Sequence, residues 1–288
     1  MSVSGDGLVV ERLTLRFGGL TAVDDISFKV REGEVLSLIG PNGAGKTSAF
    51  NAITGYIKPA GGEISYRGVR LTGRKPNAIA ALGVVRTFQK TSVFAGQTVR
   101  DNVTIGLHLR SRQRALAILA GLPSVAREEA QLAREAAEIL RFVGLKARAG
   151  DIAASLPYGE LRLLEVAVAL AAKPTLLLLD EPVSGMNPVE TASFMKLLGE
   201  IRARGITVLL VEHDMKMVMG VSDRIACLNQ GRLIASGTPA EIRGDPEVIR
   251  AYLGTEFVHK EERPGLEEES QQPLARGTQM RRDRPSKT

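Results

Sequence analysis

The chain has 288 residues, 44% of them hydrophobic, with one cysteine and a formal net charge of +6. That length suits one large domain or two of about 150 residues, the lone Cys227 excludes a disulfide within the chain, and no apolar run reaches the ~18 residues of a membrane span. The opening run MSVSGDGLVVERL lacks the basic-then-apolar order of a signal peptide, so a soluble intracellular chain is expected.

Short β-like runs come first, LVVERLTLRF and ISFKV, broken by Gly18-Gly19 and followed by the turn Arg31-Glu32-Gly33. The apolar run VLSLIG then leads into GPNGAGKT, Gly40 to Thr47, which fits G-x-x-x-x-G-K-[ST] between a strand and a helix. Its glycines, Gly40, Gly43 and Gly45, with Pro41, Asn42 and Ala44 between them, let successive backbone N–H groups curl around a β-phosphate. Lys46 supplies a point charge to the β and γ oxygens, and the helix starting near Lys46 aims its positive end inward. Thr47 offers a hydroxyl to Mg²⁺, and Ser48 beside it completes the predicted phosphate-binding set.

GGEISYRG reads as another short strand, and VVRTFQK as one that ends near Gln89, a residue that by itself carries almost no signal. From about Asn102 to Leu145 the character is helical. Ser124 after Pro123 is the expected N-cap, Leu132, Ala136, Ile139, Leu140 and Val143 form the apolar stripe, and Gly144 is the stop. Arg110, Arg112 and Arg114 are the densest basic cluster of the body, read as a solvated face. No aromatic ladder interleaves them, which argues against single-stranded nucleic acid.

LPYGELRLLEVAVAL, Leu156 to Leu170, is a helix with Leu163, Val166 and Leu170 recurring on one face. Its Pro-Tyr-Gly-Glu start reads as a helix N-terminus that receives a ligand. TLLLLDEP places Asp180 and Glu181 directly after a buried strand, where a parallel sheet opens toward its ligand crevice. Asp180 is assigned to Mg²⁺ through water and Glu181 to polarising the attacking water. VLLVEHD ends the next strand at His213, a candidate to hold a γ-phosphate and the water in line. Cys227, inside the apolar run RIACL, is a buried structural thiol. Strand and helix alternating through this half imply a mainly parallel sheet covered on both faces.

Past Gly254 the runs EERPGLEEESQQP and RRDRPSK offer little to bury, so 255–288 is expected to be a disordered tail. Residues 255–270 hold six acids and two bases and 271–288 one acid and five bases, so the tail's charges cancel and the positive excess lies in the body.

In this order GPNGAGKT, the FQ of RTFQK, LPYGE, LLLLDEP and VEHD resemble the ATP-binding cassette family over roughly residues 8–254. The resemblance implies an α/β fold: a P-loop NTPase core with a mainly parallel sheet, an N-terminal antiparallel β subdomain and an α-helical subdomain inserted at about 95–170, within an ATP-binding domain spanning 6–254. It implies two cassettes, identical or similar, sandwiching two ATP molecules head to tail. Pro157, Tyr158, Gly159 and Glu160 then form the signature facing ATP on the partner, and Ser184, Gly185 and Asn187 a loop at the dimer contact. Gln89 joins Thr47 and Asp180 as a Mg²⁺ ligand, and Phe17 stacks on adenine. The physics suits the signature, since Gly159 permits close approach and first-turn N–H groups attract anions.

The usual signature is Leu-Ser-Gly-Gly-Gln; here Pro157 replaces the serine, Tyr158 a glycine and Glu160 the glutamine. This Tyr-Gly variant resembles the ATPase subunit of branched-chain amino acid importers, as do RFGG (16–19), SGMNP (184–188), EHDMKMVMGVSDRI (212–225) and SGTPAEIRGDPEVIRAYLG (236–254). Asn187 stands where an aspartate is common, and Leu161, Leu163 and Val168 make the signature helix less basic than that subgroup's pattern. The implied protein hydrolyses ATP with Mg²⁺ at the cytoplasmic face of a bacterial inner membrane, with integral permease subunits, an extracytoplasmic solute-binding protein and no nucleic acid. The alternatives are an importer of urea, amides or other amino acids, a lipid exporter or extractor, a soluble cassette acting on nucleic acid or ribosomes, and a nucleotide kinase, for which LPYGE has no task.

Overall fold

Runs such as LLLLD and TVLLV lack polar alternation because the strands they form are covered on both faces. The computed structural model describes residues 6–87, 93–108 and 123–252. β1 (Asp6–Phe17), β2 (Leu20–Arg31), β4 (Gly61–Tyr66) and β5 (Val69–Arg70) make an antiparallel sheet of order β2-β1-β4-β5. β3 (Val35–Ile39), β6 (Val84–Arg86), β7 (Leu176–Asp180), β8 (Thr207–Val211), β9 (Arg224–Asn229) and β10 (Arg232–Gly237) form the second sheet, of order β10-β9-β3-β8-β7-β6. Every neighbouring pair in it is parallel except β10 on β9.

The α-helices of the described residues include α1 (Lys46–Ile53), α2 (Pro76–Ala80), α3 (Val99–His108), α4 (Pro123–Phe142), α5 (Tyr158–Ala171), α6 (Pro188–Ala203), α7 (Met215–Val221) and α8 (Pro239–Gly244). Side chains alternate across the parallel sheet and so put its two faces in separate cores, beside a third, smaller cluster of Ile39, Val218, Ile225, Cys227, Ile242 and Val248. Leu177, Leu179, Val208 and Leu210 pack with α3, α4, α5 and α6. Leu176, Leu178, Leu209 and Val211 pack with the antiparallel sheet and α1. Each buried leucine contributes roughly 1.5–3 kcal/mol, so the stacked strands firmly fix the edge from which the site loops emerge.

Two sequence expectations change. α4 already includes Pro123, so Ser124 lies in its first turn and is not the cap before it. α5 is not one-faced: Arg162, Leu164, Glu165, Val166, Ala167, Ala169, Leu170 and Ala171 are all buried while Leu163 is only half-buried, because the helix is wedged among α3, α4 and the sheet. The α4 stripe holds, with Leu132, Ala136, Leu140 and Val143 buried and Gly144 at φ +84° after the last turn. Gln89, the Arg110, Arg112 and Arg114 cluster and the 255–288 tail lie outside the described residues.

Candidate active site

β3, β8 and β7 are adjacent and parallel, so the residues that follow them share one edge of the sheet. After β3 the chain turns through Gly40, where a Cβ would run into the Leu228 carbonyl, to Gly45 at φ +102°, where a Cβ would lie 2.6 Å from the Ala22 oxygen. Only glycine satisfies both positions. Lys46 opens α1, and its Nζ donates to the carbonyls of Gly40 at 2.6 Å and Pro41 at 3.0 Å, drawing the loop into a ring. Burial pulls the Lys46 pKa below its ordinary value, opposed by the nearby charges of Glu181 and Asp180. Asn42, Gly43 and Thr47 are exposed, Pro41 and Ser48 half-buried, and Ala44 buried beneath them. Phe17 ends β1 and is 45% exposed, so it is not a core residue of that strand.

Asp180 is the last residue of β7 and is almost wholly buried. Its Oδ2 accepts from Arg86 Nη2 at 2.6 Å, whereas Oδ1 is buried with no hydrogen-bond partner among the described residues. Arg86 ends β6, donates Nη1 to Asn51 Oδ1 on α1 at 2.6 Å and lies over the Phe50 ring. It thereby ties the acid to the helix that carries the lysine. Glu181 follows in the left-handed region at φ 48°, with its N–H on the Val211 carbonyl at 2.8 Å. Such a backbone costs a non-glycine residue about 1–3 kcal/mol, and strain of this kind gathers at functional sites.

After β8, the carboxylate of Glu212 is fully buried and accepts from the N–H groups of Val183 at 3.0 Å and His213 at 2.9 Å. It pins the turn after β7 to the turn after β8. The His213 side chain stays 62% exposed, with Nδ1 3.8 Å from Glu212 Oε2. Arg86 and Glu212 went unrecognised in the sequence, where the only signals were a charge closing the apolar run VVR and an acid between a buried strand and a histidine.

The signature residues form a second group with the loop before α6. α5 starts at Tyr158, and Pro157 precedes it as an N-cap with no side-chain hydrogen bond. A Cβ on Gly185, at φ +79°, would lie 2.8 Å from the Tyr158 ring, and one on Gly159 would lie 2.9 Å from Glu190 Oε1. Asn187 caps α6 by accepting from the N–H groups of Val189 and Glu190, and Glu190 Oε2 accepts from the Asn187 N–H in return. Glu160 is ion-paired with Arg148 at 3.0 Å. The turn Glu181 to Ser184, closed by Ser184 N–H on the Glu181 carbonyl, joins this group to the first.

The ABC transporter family matches residues 23–184. The high-affinity branched-chain amino acid transport ATP-binding protein LivG of Salmonella typhimurium is 46% identical over 248 residues, covering 86% of this chain and 97% of that protein. The chain belongs to the ABC transporter family. The corresponding protein BraF of Pseudomonas aeruginosa is 45% identical over the same share of this chain. An ATP-binding cassette of an ABC transporter in its ADP conformation aligns with a TM-score of 0.77 at 30% identity, covering 87% of this chain and all of that one. A second family, the branched-chain amino acid ATP-binding cassette transporters, matches residues 232–258. This ABC chain is an α/β cassette that binds nucleotide and hydrolyses ATP, and none of its described helices is long and apolar enough to cross a membrane.

Proposed function

We propose that this cassette is the ATP-hydrolysing subunit that energises branched-chain amino acid uptake, working at the cytoplasmic face of a bacterial inner membrane with permease subunits and an extracytoplasmic solute-binding protein. The observation that carries the reading is the 46% identity running over 97% of LivG. The unit that does this is residues 6–254, with the helical part at about 95–170 passing movement to the membrane subunits.

In this reading the backbone N–H groups of 40–47 and Lys46 hold the β and γ phosphates, Phe17 stacks on adenine, Glu181 polarises the attacking water and His213 keeps it in line with the γ-phosphate. Arg86 and Glu212 are positioning residues for Asp180 and for the His213 turn. Thr47, Asp180 through water and Gln89 would hold Mg²⁺, which would neutralise phosphate charge. The donor set fits that hard cation. Among the described residues no group of three or more His, Cys, Asp or Glu gathers into a metal cage, and Mg²⁺ habitually takes one or two protein oxygens plus phosphate and water. The buried, unpartnered Asp180 Oδ1 would accept a hydrogen bond from such a water.

A second cassette, identical or similar, brings its own signature to the γ-phosphate through the first-turn N–H groups around Gly159. ATP closes the pair because its γ-phosphate is liganded from both sides, and hydrolysis removes that bridge. Radiolabelled leucine uptake in cells lacking this gene tests the reading. Wild type should restore uptake and Glu181→Gln should not, with turnover reduced about 10²–10⁴-fold and ATP still bound. Restoration by Glu181→Gln would remove Glu181 from the chemistry, and uptake unaffected by the deletion would remove the cargo.

A further inference from the structure

A groove of about 590 Å³ lies between α7, α8 and the helical run 246–252 that follows them. Met215, Met219, Ile242, Val248, Ile249 and Tyr252 make its wall mostly apolar, and the charged side chains among its described lining residues, Lys216 and Arg243, are both basic. Ile249 stays 43% exposed there. The floor beneath is the cluster of Ile39, Cys227, Ile242 and Val248, on which Met215, Met219 and Tyr252 pack. Ile39 immediately precedes Gly40. Burial pushes the Tyr252 hydroxyl up to about 12, and the Gly40 backbone opposes that rise through a hydrogen bond. The groove thus shares a wall, Tyr252, with the first residue of the phosphate loop, whose carbonyl accepts from Lys46.

The residues that come next in the chain match this groove. Leu253 and Phe257 continue the four-residue spacing of Ile249, Val258 adds to them, and Phe257 is the only Phe, Tyr or Trp after Tyr252. Glu256, Glu261 and Glu262 lie among and just beyond them, opposite in charge to Lys216 and Arg243. The match to the branched-chain amino acid cassette family runs to residue 258, so it takes in Leu253, Phe257 and Val258 and stops short of Glu261 and Glu262. Five residues span at most about 18 Å, which keeps Phe257 close to the groove that Tyr252 lines. We propose that segment 253–258 of this same chain seats Leu253, Phe257 and Val258 in the groove between α7 and α8, with its acids toward Lys216 and Arg243, and thereby braces Tyr252 against Gly40. The solvated tail expected from residue 255 then begins beyond Val258. Tethering favours this occupant over the same segment of a second copy, because the attached segment acts at a millimolar effective concentration. Two bases are too few for an anionic membrane surface, which is held by clusters of about four to eight.

The test uses the full chain. With Cys227→Ala as background, Met219→Cys and Phe257→Cys under a mild oxidant should form a disulfide within one chain, at monomer mass. It should form at least tenfold faster than the pair Met219→Cys and Gln272→Cys, which lies beyond the acids. A disulfide at dimer mass would give the groove to a second copy, and equal rates for the two pairs would mean that 253–258 has no seat there; either result overturns the proposal. The brace is read separately, with Cys227 intact. Leu253→Asp combined with Phe257→Asp should weaken binding of a fluorescent ATP analogue three- to tenfold and speed amide exchange in the peptide that contains Gly40. The apolar pair Leu253→Met with Phe257→Leu should bind the analogue as wild type does. Met219→Glu, which puts an acid in the groove, should reproduce the aspartate effect, and it decides the matter if the double aspartate variant fails to fold. Wild-type affinity and exchange in Met219→Glu would overturn the brace.

Discussion

α1 and α5 begin differently from the helices that follow them. α6, α7 and α8 are closed at their N-termini by the side chains of Asn187, Asp214 and Thr238, whereas α1 and α5 start after Gly45 and Pro157 with no side-chain cap. The single-turn α2 lacks a cap as well. An uncapped first turn leaves N–H groups for an outside acceptor. Yet the two open ends are prepared in opposite ways. α1 presents a cation in its first turn and closes it against its own loop, while α5 presents an acid, Glu160, and neutralises it with Arg148. The first is closed by its own loop, and under the function proposed above the second meets a phosphate held by a partner cassette.

The largest expected effect breaks the two ends separately. Lys46→Ala should weaken ATP binding to the isolated chain by roughly 10- to 100-fold, the loss of charge-assisted hydrogen bonds, and turnover should fall with it. On the proposed pairing, Gly159→Asp should leave that binding intact and lower turnover by about 10²-fold, because its carboxylate would sit beside Glu190 where a partner's phosphate is proposed to bind. Equilibrium binding to monomers beside steady-state turnover separates the cases, and loss of monomer binding in Gly159→Asp would put both ends in one site.

A smaller effect sharpens the contrast at α5. If that first turn meets phosphate as proposed, Glu160 is tolerable there only while Arg148 offsets it. Arg148→Ala should therefore lower turnover by about two- to fivefold, as befits an exposed ion pair, with the deficit shrinking as salt screens the uncovered acid. Turnover measured from low to high ionic strength gives the sign, and a deficit that grows with salt would contradict it.

How far each end was legible in the sequence follows from the same difference. The phosphate loop is written locally: three glycines, a lysine and flanking apolar runs are demanded by backbone geometry within a few residues. The acids after β7 were equally plain, because four consecutive leucines admit a doubly covered strand and little else. The partners of those residues were not. Arg86 reaches Asp180 across 94 residues, and Glu212 serves Val183 across 29, so neither could be found without the sheet order. α5 was underestimated for a related reason. Periodicity detects a helix with one wet face, and a helix wedged on nearly all sides carries its polar chain of Tyr158, Arg162 and Glu165 inside, where spacing alone says nothing of what they meet. At Asn187 the departure from the more common aspartate keeps the function of a cap, which a tally of family differences does not reveal.

The smallest effect concerns the floor of the phosphate loop. Cys227 on β9 pairs in register with Ile39, immediately before Gly40, and burial pushes its thiol from 9.0 up to about 11, with Asp245 adding to the rise and Lys46 opposing it. A raised pKa means that the folded chain holds this proton more tightly than the unfolded chain. Its contribution to stability is therefore intact below about pH 9 and is lost as pH rises through about 11, amounting to about 1–2 kcal/mol at the upper end. Melting temperatures between pH 8.5 and 11 should fall more steeply for wild type than for Cys227→Ala, after allowance for the lysines and tyrosines common to both. Hydrogen exchange at pH 10.5 should show the extra loss at β3 and the phosphate loop, with the first turn of α5 unchanged. Equal slopes would mean that the thiol is reached by water and that this end is less sealed than its packing indicates, while loss at α5 would mean that the two helix starts loosen as one.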